Sequence, residues 1–345
     1  MILGDLGADV IKVERPGTGD DTRGWGPPFD ERGESAYFLS INRNKASLAA
    51  DLSDAADRDL VEQLALEADV VVENFLPGAL ARRQLDAARM RQLRPELIWC
   101  TISGFGPGSR RPGYDFVAQA EQGWMAVTGE PDGQPMKVGM ALVDVLTGKD
   151  AAISILGALV ARGRTGVGAH VEVSLAASAA AALINVGQNV LVGGDDARRW
   201  GNAHPNLVPY QLFGAADRDL VIAVGSDSQW QALVVALGLE QLGGDRFTTN
   251  RQRLAARDEV VSVVGARISE RAAAEWIAVL DAAGVPCGLV RTVREVVADA
   301  ATSPLTGMAP SVPGAVRRPP PRLDEHGAGI RAEGWGYFSR ALSRS

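Results

Sequence analysis

Asp144 stands where the apolar run GMALV meets VLTGKDAAISILGALVARG, a segment with the length and composition of a long helix. The apolar run reads as a strand that delivers the carboxylate to its carboxyl end. A carboxylate there has two readings. It can be the N-cap that accepts backbone N–H bonds, or a nucleophile kept ionised by the positive end of the helix. Tyr114 in GYDF offers a phenol to a pocket or packs with its hydroxyl tied to backbone. Arg15 in ERPG and Arg82 in PGALAR follow strand-like runs and suit phosphate groups, or simply face water. Asn74 and Phe75 of ENF line a nucleotide pocket or finish a strand. Other chemistries lack their signatures: there is no P-loop, no GxSxG elbow and no HExxH, and the three histidines are far apart in sequence. Gly104 and Gly106 only partly match a dinucleotide-binding glycine pattern.

These residues need a frame that brings them together. Ala8–Glu14, Asp69–Phe75, Leu97–Ser103 and Ala169–Ser174 read as strands, and residues 53–68 as a helix with Leu60, Val61, Leu64 and Ala68 on one face. Alternating strands and helices predict an α/β fold with a doubly wound, Rossmann-like parallel sheet, in which ligands collect at the carboxyl ends of the strands. The long helix is expected to break at Gly163, and the small-residue run Leu175–Val192 to form one buried helix. Residues 193–206, rich in Gly, Asp, Asn and Arg, read as a linker. Beyond it Asp219–Gly225 predicts a strand, Ser226 and Ser269 predict helix caps, and Cys287–Val293 with Arg294–Ala300 repeats strand then helix. The expected division is a large domain over 1–195, completed by 301–345, and a smaller α+β domain over 205–300.

Composition bounds the partners. The 345 residues are 46% hydrophobic and 22% charged, as in ordinary globular domains, and the net charge of −7 with scattered Lys and Arg offers no footprint for nucleic acid. The most apolar run is interrupted by Ser178, Asn185, Gly187, Gln188 and Asn189, so no membrane span is expected. No export signal is legible at the N-terminus, and Cys100 and Cys287 form no disulfide or zinc pattern; a cytoplasmic location is expected. The proline-rich stretch from Thr302 predicts extended connections and a poorly ordered tail.

The segments LGADVIKVERPGTGDDTRGWGPP, INRNKASLAADL, VVENFLPGAL, SGFGPG, PGYDFVAQAEQGWMAVTG and GMALVDVLTG, in this order from residue 4 to about residue 300, resemble the family III CoA-transferases of the CaiB/BaiF type. The resemblance implies that Asp144 is the catalytic carboxylate and that Arg15, Asn74, Phe75, Ala79, Arg82 and Tyr114 contact coenzyme A. It also implies an interlocked homodimer, acyl-CoA and carboxylic acid substrates, and no permanently bound cofactor or metal. Related 2-methylacyl-CoA racemases carry histidine where Tyr114 stands; tyrosine, with a reference pKa of about 10, is a poor base at neutral pH and favours the transferase.

RRWGNAHPNLVPYQLF, GVPCGLVRTVREV and RRPPPRLDEH resemble the succinyl-CoA:glutarate branch, which moves CoA between dicarboxylic acids, and make Arg198, Arg199 and His204 candidate carboxylate partners. The implied chemistry passes through an aspartyl anhydride and an aspartyl-CoA thioester. Two departures imply an alternative. The family has a strand upstream of LGADVIKVE, which predicts a sheet one strand short, and the ending IRAEGWGYFSRALSRS looks foreign. An inactive, truncated CoA-binding member is the expectation that follows from them.

Overall fold

A computed structural model describes the backbone of residues 1–342 and the side chains of residues 1–339. The chain forms two compact units. The first comprises Met1–Gln122, Gly139–Ile184 and the chain from Val297 onward; the second comprises Gly123–Val138 and Asn185–Val296.

The first unit is mixed α/β, with its longer strands parallel. Strand β1 (Ile11–Glu14) pairs with β2 (Ala46–Ala49), and β3 (Val70–Glu73), β4 (Ile98–Ser103) and β5 (His170–Ser174) form a second parallel sheet in the order β3-β4-β5. Among the described residues the parallel strands are therefore divided between two sheets. The apolar run that makes up β4 suits its central place: Ile98, Trp99 and Cys100 are buried, as a strand flanked on both edges and covered by helices must be. The helix Leu142–Thr165 packs on this sheet through Ala151 and Ile155, which meet Cys100. Gly163 lies inside it without a break, because a solvent-facing glycine costs a helix only about 1 kcal/mol. The helix ends at Gly166, whose φ of 72° is the left-handed cap conformation open to glycine.

The C-terminal segment departs most from expectation. Its helices Gly327–Glu333 and Gly336–Leu342 close the core over β2: Ile330 and Phe338 are buried against Ala46, Leu48 and Leu64, and the Trp335 indole donates to the Leu64 carbonyl at 2.9 Å. Residues 343–345 lie outside the described residues. Before these helices, the proline-rich stretch is extended apart from a short antiparallel pair, Thr302–Ser303 with Gly307–Met308.

The second unit carries an antiparallel sheet in the order β6 (Tyr210–Gly214), β7 (Asp219–Ala223), β8 (Cys287–Leu289). Helices Asp227–Leu237, Arg257–Ile268 and Ala273–Ala282 supply Trp230, Leu233, Leu237, Val264, Trp276 and Leu280 to its core. Ser226 caps the first of these through a reciprocal capping box with Gln229. Ser269 is not an N-cap: it is the C-cap of the helix Arg257–Ile268, its hydroxyl donating to the Ala266 carbonyl at 2.8 Å, and the next helix starts four residues later with Ala272 in the N-cap position. The run Leu175–Val192 is not one buried helix but two, Leu175–Ala181 and Ile184–Gly193, and Leu191 and Val192 are exposed. No single helix among the described residues is long and apolar enough to cross a membrane.

Candidate active site

Asp144 does not sit at a strand end. The segment before it has no strand, and the helix already begins at Leu142, which makes Asp144 its third residue. Nor is it the cap. That task falls to Asp115, whose Oδ1 accepts the N–H of Val143 at 2.8 Å and of Asp144 at 3.2 Å. Asp115 is itself the first residue of the helix Asp115–Glu121, and its Oδ2 accepts the Gln119 amide at 2.6 Å. One carboxylate thus satisfies two orphan N–H groups of the long helix and leaves the other free for chemistry.

The two effects acting on Asp144 oppose each other. The first turn of a 24-residue helix favours a negative charge. Part of the carboxylate's surface is open, yet the surrounding protein desolvates it, and the Asp115 charge lies close by. Desolvation first and Asp115 second win, pushing its pKa up to about 6 from 3.8. The expectation that the helix end holds the group firmly ionised is corrected in sign, although at neutral pH the anion still predominates.

Tyr114, immediately before Asp115, is 59% exposed and makes no capping bond. Its approach is set by two glycines. A Cβ on Gly104, just after β4, would come within 2.5 Å of the Gly113 Cα, so only a glycine pair lets the two loops lie back to back. Tyr37 belongs to the same neighbourhood: burial, then the charges of Asp144 and Asp115, raise its phenol pKa, and its ring meets Trp25 edge-on at 5.0 Å. The other candidates occupy the loops that leave parallel strands in the same unit. Arg15 follows β1 and is exposed, with its guanidinium on Asp21. Asn74 and Phe75 follow β3 and are exposed, the Phe75 N–H donating to Glu73 at 2.8 Å. Ala79 is partly buried in the turn that leads to Arg82, whose side chain is exposed.

A cavity of about 320 Å³ opens further along the long helix, lined in part by Pro107, Asp150, Ser174 and Ser178, with the Ser178 hydroxyl donating to Asp150 at 2.6 Å. It does not include Asp144. Among the described residues no group of three or more His, Cys, Asp or Glu is placed to hold a metal. In the second unit the three candidate carboxylate partners differ in fate. Arg199 is spent on the carbonyls of Glu130, Pro131 and Gly133, at 3.0, 3.4 and 2.6 Å. His204 accepts the Asn206 N–H on Nδ1, and burial followed by the Arg257 charge lowers its pKa. Arg198 lies over Trp200.

Comparison with known proteins decides what this arrangement belongs to. The model of CoA-transferase family III matches residues 1–310. The chain belongs to CoA-transferase family III. The succinyl-CoA:glutarate CoA-transferase of Mus musculus is 40% identical over an alignment that spans 100% of this chain and 84% of that protein. The succinate–glutarate CoA-transferase of Agrobacterium fabrum is 38% identical, spanning 96% and 90%. A crystal structure of a CaiB/BaiF family protein from Brucella suis superposes with a TM-score of 0.84 at 41% identity, covering 96% of this chain and 93% of that one.

For this member of family III, reasoning from the residues passed over Asp115 and Tyr37. Asp115 carried a signal, an acid opening a helix directly after a candidate tyrosine. Tyr37 carried none, since it is 107 positions from Asp144 and only the fold brings the two within electrostatic reach.

Proposed function

We propose that the protein moves CoA from a succinyl-CoA-like donor to a dicarboxylic acid, with Asp144 as the covalent nucleophile. The observation that carries the reading is the placement of Asp144, with its backbone N–H held by Asp115 and its carboxylate free and raised to a pKa of about 6. A carboxylate of that basicity is a better nucleophile than an ordinary aspartate and remains mostly anionic at neutral pH. The names of the mouse and Agrobacterium relatives support the dicarboxylate class.

In the proposed sequence an Asp144 oxygen adds to the donor thioester carbonyl and the C–S bond breaks, giving a mixed anhydride and CoA thiolate. The thiolate attacks the aspartyl carbonyl, the C–O bond to the donor acyl group breaks, and the donor acid leaves with an aspartyl-CoA thioester behind it. An acceptor carboxylate then displaces the thiolate to form a second anhydride. The thiolate attacks the acceptor acyl carbon, releasing the new acyl-CoA and the Asp144 carboxylate. No proton, metal or redox equivalent is consumed.

Arg15, Asn74, Phe75, Ala79, Arg82 and Tyr114 are the proposed CoA contacts. Their shared unit and their positions on loops after parallel strands support this role, since such loops are where α/β folds bind ligands. We assign the first unit to CoA binding, as a Rossmann-like domain, and the second to a smaller domain; we further propose an interlocked homodimer working in the cytoplasm.

The test is trapping. Protein incubated with succinyl-CoA is quenched with borohydride or hydroxylamine, and the peptide bearing Asp144 is read by mass, with Asp144→Asn beside it. A modified Asp144 in wild type alone is expected. An unmodified peptide in protein that still transfers CoA refutes covalent catalysis by Asp144, and deuterium uptake at the α-carbon of a 2-methylacyl-CoA without CoA exchange would replace the transferase with a racemase.

A further inference from the structure

We propose that Arg198, Trp200 and Arg257 form an oxyanion-binding subsite in the second unit, taking a terminal carboxylate or phosphate group. Arg257 opens the helix Arg257–Ile268. Its Nη2 donates to the carbonyls of His204 at 3.0 Å and Pro205 at 2.9 Å, whereas its Nη1 is buried with no hydrogen-bond partner among the described residues. The Arg257 guanidinium lies 4.7 Å from the Trp200 ring centroid, and that of Arg198 lies 3.9 Å from the same ring. Two cations therefore share one indole. Each gains from the ring's negative face while repelling the other.

Several other arginines of this unit are matched, although Arg267 and Arg271 also share an indole, that of Trp276. Arg253 is satisfied by Asp227 and three carbonyls, Arg246 by Glu259 and Arg199 by its three carbonyls. Arg198 and Arg257 have no ion pair among the described residues, and Arg198, which is exposed, makes no side-chain hydrogen bond there. Burial, then the charge of Arg198, lowers the Arg257 pKa, with Asp258 compensating only in part. A buried N–H without an acceptor is costly, a burden that an oxyanion bound by the two guanidinium groups relieves. Arg198, exposed and resting on the same ring, supplies the second cation.

For its ligand this inference rests on the proposed transferase reading, which offers two sources of an oxyanion: the free carboxylate of a dicarboxylic acid and the phosphate groups of CoA. Calorimetric titration separates them. Full-length wild type, Arg198→Gln and Arg257→Gln are titrated with glutarate, with CoA and with dephospho-CoA. We expect each variant to lose roughly tenfold in affinity for one source. A loss confined to glutarate identifies the carboxylate; a loss for CoA, whether or not dephospho-CoA follows it, identifies a phosphate. Arg246→Gln, which alters an exposed pair, should change neither. Arg198→Gln removes no hydrogen bond and keeps the test open if Arg257→Gln disturbs folding. Unchanged affinities for all three ligands in folded Arg198→Gln overturn the subsite. Binding is read without turnover, so that failure leaves the role of Asp144 untouched, and loss of trapping at Asp144 leaves the subsite untouched.

Discussion

Replacing Asp144 with Asn should stabilise the protein while abolishing transfer. The carboxylate holds its proton more tightly when folded, with a pKa of about 6 against an ordinary value of 3.8, so its ionisation opposes folding. That penalty is absent below the unfolded pKa, grows as pH rises between the two values and is complete above the folded one. A shift of about two units corresponds to at most ~3 kcal/mol. Asp144 is exposed enough for solvent to screen much of this, which leaves ~1 kcal/mol. At pH ~8 the Asn variant should therefore unfold ~2 °C above wild type, and near pH ~4.5 that advantage should be clearly smaller. Paired thermal melts at the two pH values, followed by far-ultraviolet circular dichroism, measure it. An Asn variant no more stable than wild type at the higher pH, or equally advantaged at both, would refute the claim that Asp144 is held in an environment hostile to its charge.

Asp115→Asn keeps an acceptor for the helix N-terminus but removes a charge, so the acid limb of the kcat/KM profile should move to lower pH. Asp115→Ala should instead lose the cap, costing ~1 kcal/mol in denaturant unfolding. Phe338→Ala should destabilise the first unit by ~3 kcal/mol, because the ring is 3% exposed and closes the core over β2; a variant as stable as wild type would mean the C-terminal helices do not contribute to that core.

Much of this protein follows from local pattern. Apolar runs marked four of the five parallel strands to within a few residues but passed over β2, and Ser226 announced its helix, because period and capping are properties of neighbouring residues. Asp144 and the loops proposed to contact CoA were legible only through their ordered motifs, since an acid before a helix has an ordinary structural explanation. Tertiary structure decided what local pattern could not. Asp115 took the capping role and thereby freed Asp144, a choice made by two helices meeting at their N-termini. The last described helices, unremarkable in sequence, became core because β2 and Leu64 present an apolar face to them. Arg198 and Arg257, 59 positions apart, acquired a shared indole. Charge and burial act through space, so the sign of the Asp144 shift could be read only once its neighbours were in place.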